Sequence, residues 1–94
     1  MGEAQIRGKS LIAIAKDIAD GYVSLNPLVL KKFEPEAFQG LHQQIQKLQT
    51  ATRAEKFPSE DIQGIRKRNL RLQRLYTALF VLENSARERR IRMT

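Results

Sequence analysis

Apolar residues return at three- and four-residue steps along most of the chain. That is the period of helices buried on one side, and strand-like alternation does not fit it. Between about Glu3 and Tyr22, the positions Leu11, Ile14, Ala15, Ile18 and Tyr22 share one side of a helical wheel, with Lys9, Lys16, Asp17 and Asp20 elsewhere. Gly21 and Val23-Ser24-Leu25 end this first helix. Asn26-Pro27 opens a second. Asparagine accepts from the free N–H groups of a first turn, and proline suits the first helical position, where a missing N–H has no intrahelical partner. Glu34 precedes Pro35 and is pushed out of α geometry. The second piece is thus two turns or less, with Leu28, Val29, Leu30 and Phe33 expected to plug one end of the core.

The third segment, about Pro35 to Lys56, places Phe38, Leu41, Ile45, Leu48 and Thr52 at steps of 3, 4, 3 and 4, the spacing of a straight helix–helix seam. Gln39, Gln43, Gln46 and Lys47 take the other side. Gly40 interrupts the pattern at a cost of about 1 kcal/mol relative to alanine, and close approach of a neighbouring helix would account for it. The fourth segment opens at Phe57-Pro58, with Ser59 as the expected N-cap and Glu60 and Asp61 favouring the first turn through the helix dipole. No later proline interrupts it, so one helix is expected to run to about Ile91. At 100° per residue, Ile62, Ile65, Asn69, Leu72, Leu75, Tyr76, Leu79, Phe80 and Ala86 gather on one face, and Lys67, Arg71 and Arg74 fall opposite. Around Ala78, Val81 and Leu82 apolar residues spread to the polar side, so cover from several directions is expected there.

These elements predict an all-α chain: a small antiparallel helical bundle of three main helices plus a short connector helix, forming a single domain over residues 1–94. The last helix outruns the others. Leu72, Leu75, Tyr76, Leu79, Phe80 and Leu82 therefore form the expected interface with a second copy or with a helical partner. Burying each such side chain is worth about 1.5–3 kcal/mol, and a symmetric homodimer covers the surplus most economically. Asn69 either fixes register within that seam or sits solvated at its edge.

Charge adds a second expectation. The 94 residues carry 17 Lys plus Arg against 10 Asp plus Glu, a net +7. All of it lies from Ile62 onward, where nine basic residues meet two acidic ones. Lys67, Arg71 and Arg74 on the helix, with Arg87, Arg89, Arg90 and Arg92 in a basic tail over about 87–94, are the candidate phosphate-binding residues. A solvated helix face, with arginines placed favourably against the dipole, explains the same cluster without a ligand. No helix-turn-helix spacing or glycine-rich phosphate loop accompanies it.

Chemistry has little to work with. The chain has no cysteine and one histidine, His42, which reads as a surface residue beside Gln43. Its helical neighbours Ile45 and Gln46 are not metal ligands of any standing. Glu34, Glu36, Glu60 and Asp61 stand at helix starts, Asp17 and Asp20 lie on a polar side, and no serine has a positioned base. No catalytic residue, metal site or cofactor is expected. Without a secretory signal or an apolar run of membrane-spanning length, a cytoplasmic location is expected. The sequence thus points to a non-enzymatic helical interaction module, self-associating through its last helix. Nucleic-acid binding along the basic face is the alternative.

Overall fold

The computed structural model describes residues 5–6 and 9–92, and the chain is all-α. A minimal antiparallel pairing of β1 (Gln5–Ile6) with β2 (Lys9–Ser10) leads into four helices. These are α1 (Leu11–Asp20), α2 (Pro27–Leu30), α3 (Pro35–Arg53) and α4 (Ile62–Glu88). The first helix thus starts at Leu11 and not near Glu3. The Ser10 hydroxyl accepts from the Ala13 N–H at 3.1 Å and caps it. Residues 3–4 and 7–8 of the expected first segment lie outside the described residues.

Local chemistry sets the ends of the next elements. Gly21 closes α1 with φ at 88°, the left-handed region glycine enters without penalty. Its N–H reaches the Ile18 carbonyl at 3.1 Å and the Tyr22 N–H reaches that of Asp17 at 2.9 Å, the paired bonds of a Schellman ending. Asn26 caps α2 as expected, its side chain accepting from the Val29 N–H at 2.9 Å. Leu30 and Phe33 enter the core, but Leu28 and Val29 remain exposed, because so short a helix turns only one side inward. For α4 the cap is Asp61 and not Ser59: the Asp61 carboxylate accepts from the Gly64 N–H at 2.9 Å, while the Ser59 hydroxyl donates to Glu60.

The core gathers where α1, α3 and α4 meet. Phe38, Leu41 and Ile45 of α3 are fully buried, as are Leu75 and Leu82 of α4 and Leu30 of α2. Phe33 meets Phe38 edge to face with ring centroids 6.2 Å apart. A Cβ on Gly40 would lie 2.5 Å from a methyl of Leu11, so the glycine does mark a close approach between α1 and α3.

Cross-helix contacts fix the directions. His42 meets Glu83, and Arg68 meets the backbone of Glu55 just beyond α3, so α3 and α4 are antiparallel. Leu11 lies beside Gly40 at one end, and Asp20 beside Arg71 at the other. Hence α1 runs the same way as α3, and only α4 opposes them. The expected alternation of helix directions fails because residues 21–34 carry the chain back along α4 before α3 begins. The long helix itself is continuous over 27 residues, about 40 Å at 1.5 Å per residue. It sets the long dimension of a molecule measuring 45 × 26 × 22 Å.

Candidate interaction surface on the long helix

Two stripes of three- and four-residue spacing run along α4, and they face opposite ways. The inner one, Leu75, Ala78, Leu79, Leu82 and Ala86, is buried against α1 and α3. The outer one carries Ile62, Arg66, Asn69, Gln73, Tyr76, Phe80, Glu83 and Arg87, every one exposed. Tyr76 is 70% exposed and Phe80 64%, one turn apart on the same side.

This division corrects the single apolar face expected from the sequence. Of the expected interface residues, Leu75, Leu79 and Leu82 belong to the chain's own core, Leu72 is half-buried, and Tyr76 and Phe80 face solvent. The cause is steric. Ala78 and Ala86 let the neighbouring helices approach the inner side closely, whereas the rings of Tyr76 and Phe80 would hold them off. Asn69 is exposed on the outer side and takes no part in the buried seam.

The arginines divide as well. Arg71 lies on the side facing α1 and pairs with Asp20 at 2.7 Å. Arg74 donates to the Ala19 carbonyl at 3.0 Å and covers Gly21. Both therefore engage the C-terminal end of α1, where unsatisfied carbonyls and the helix dipole favour a cation. Arg68 donates to the Glu55 carbonyl at 3.3 Å. Arg89 donates to the carbonyls of Leu30 and Phe33 at 3.0 and 2.9 Å and lies 5.0 Å from the Phe38 ring centre. These guanidinium groups hold the ends of the other three helices.

Of the remaining candidate phosphate-binding residues, Arg87 donates to Asn84 at 3.1 Å on its own helix. Among the described residues, no hydrogen bond or ion pair engages the side chains of Lys67, Arg90 or Arg92. The expected basic tail is partly structured. Helix α4 runs to Glu88, Ile91 packs against the core, and the Arg92 carbonyl accepts from the Gln39 amide at 2.7 Å. Residues 93–94 of that tail lie outside the described residues.

His42 is a second correction. It is buried between α3 and α4, and its Nε2 lies 3.0 Å from Glu83 Oε2, so the ring donates to the carboxylate. Sequence alone gave no signal for this, because the partner is 41 residues away. A groove of about 310 Å³ opens between α4 and the start of the return segment, lined by Ile18, Ser24, Leu25, Leu70, Gln73, Arg74, Thr77 and Ala78. Its polar groups form no nucleophile–base pair. Among the described residues, no group of three acidic, histidine or cysteine side chains could hold a metal ion, and no helix is long and apolar enough to cross a membrane.

Comparison of the chain with models of known protein families, with curated proteins and with solved structures finds no match. The surface chemistry of α4 is therefore the ground on which function is read.

Proposed function

We propose that this protein is a non-enzymatic helical interaction module, acting in the cytoplasm, that self-associates through the outer face of α4. One observation carries the reading: the exposed Tyr76–Phe80 pair on a helix already well anchored by its other side. Two large rings held rigidly one turn apart offer contact area at little entropic cost, the property that makes aromatic residues common at the centres of protein interfaces. The polar residues that share the outer side with them, Asn69, Gln73 and Asn84, keep the face soluble when it is free.

Light scattering across a concentration series tests this. The expected mass rises from that of the 10.8 kDa chain toward twice that value. Phe80→Asp is expected to hold the protein at monomer mass without changing its helical content. A wild-type protein that stays monomeric at millimolar concentration overturns the proposal.

Nucleic-acid binding is the second reading, supported by the exposed side chains of Lys67, Arg90 and Arg92, which make no hydrogen bond or ion pair among the described residues. It ranks lower because Arg71, Arg74 and Arg89 are engaged within the fold. A mixed RNA or DNA probe is expected not to bind at about 50 mM salt, where phosphate contacts are strong.

A further inference from the structure

We infer that the outer face of α4 pairs with the same face of a second copy, antiparallel, in the register that overlays the two helices end to end. The inference rests on the interaction reading above and adds geometry to it. The positions Ile62, Arg66, Asn69, Gln73, Tyr76, Phe80, Glu83 and Arg87 are all exposed and advance by 4, 3, 4, 3, 4, 3 and 4 residues. That is the seam spacing of a two-stranded coil. The series of steps reads the same in both directions. Laid on an inverted copy, each position meets another: Ile62 opposite Arg87, Arg66 opposite Glu83, Asn69 opposite Phe80, and Gln73 opposite Tyr76. Two-fold symmetry makes every pair occur twice, and the two Tyr76 rings flank the axis.

Charge selects this arrangement. The only acidic residue of the stripe, Glu83, falls opposite Arg66. A parallel pair would instead set Arg66, Glu83 and Arg87 each against its own kind, and facing like charges are costly. Sliding the antiparallel pair by one heptad in either direction breaks the Arg66–Glu83 match and shortens the helix overlap by more than a turn. Glu83 has capacity for the new partner: its side chain is 47% exposed, and only one of its oxygens faces His42. Antiparallel helices also bring opposite dipole ends together.

The contact is small. A strip about 40 Å long and about 10 Å wide buries about 400 Å² per copy, below the usual range of stable interfaces. The association is accordingly reversible and dependent on concentration.

Charge reversal tests the register by sedimentation equilibrium. Arg66→Glu and Glu83→Arg are each expected to weaken dimerisation by about tenfold, since both symmetry-related pairs become repulsive. The double variant R66E/E83R is expected to return to within about threefold of wild type. Because the chain has no cysteine, introduced thiols give an independent measure. The double variant R66C/E83C is expected to yield a disulfide-linked dimer under mild oxidation, and R66C alone none. Unchanged single variants, a double variant that fails to recover, or ready cross-linking of R66C alone overturns the antiparallel register. If Phe80→Asp dissociates the dimer while the charge variants have no effect, the register fails and the interaction reading survives. A wild-type monomer at all concentrations ends both.

Discussion

Leu75, Leu79 and Leu82 on one side of α4, and Tyr76 and Phe80 on the other, interleave in the same short stretch of sequence. The leucines are buried among α1, α3 and the return segment, while the rings face water. Both sets keep the helical period, so periodicity alone cannot say which of them faces inward. What separates them is their neighbours: the inner stripe includes Ala78 and Ala86, which allow close packing, and the outer one includes Asn69, Gln73 and Arg66, which do not require it. A similar contrast divides the arginines. Arg71, Arg74 and Arg89 hold helix ends inside the fold, whereas Arg92, of the same basic run, has a side chain with no hydrogen bond or ion pair among the described residues.

The sharpest way to break the contrast between faces is to truncate one residue on each. Leu75→Ala removes a fully buried side chain and is expected to cost about 2–5 kcal/mol in urea unfolding. Phe80→Ala is expected to stay within about 0.5 kcal/mol of wild type when measured on monomeric protein. Comparable losses at the two sites would mean that the outer ring is structural after all.

The contrast between arginines sharpens in the same way. Arg89→Ala removes two charged hydrogen bonds to carbonyls and a ring contact, with an expected loss of about 1–2 kcal/mol. Arg92→Ala is expected to leave the thermal midpoint unchanged.

The smallest effect concerns two helix endings of the same design. Gly21 ends α1 at φ 88°, and Arg90 ends α4 at φ 59°. The Ile91 N–H bonds back to the Ala86 carbonyl at 2.8 Å, as Tyr22 does to Asp17. Only glycine adopts this backbone freely, so Arg90→Gly is expected to raise stability by about 1 kcal/mol. A melting curve that moves down would show that the arginine side chain contributes more than its backbone costs.

What could be read in advance follows from the range of each signal. The Asn26-Pro27 cap and the Phe38–Leu41–Ile45 seam are local patterns, and the structure carries both. The expected cap of α4, Ser59, gives way to Asp61 because both are good capping residues two positions apart and nothing local chooses between them. The outward turn of Tyr76 and Phe80, the burial of His42 and the use of Arg71 and Arg74 depend on partners brought by other helices. Asp20 stands 51 residues from Arg71, and no pattern on α4 announces it.

The shared direction of α1 and α3 has a consequence for assembly. Helices α3 and α4 are joined by the short link 54–61 and can close on each other with little loss of chain entropy. The docking of α1 onto the start of α4 rests on contacts spanning 51 and 55 residues, and such long-range contacts are slow to form. The α3–α4 hairpin is then expected to form before α1 docks on it, an order that amide hydrogen exchange on the two elements would check. Arg71 and Arg74 act as the latch on that door.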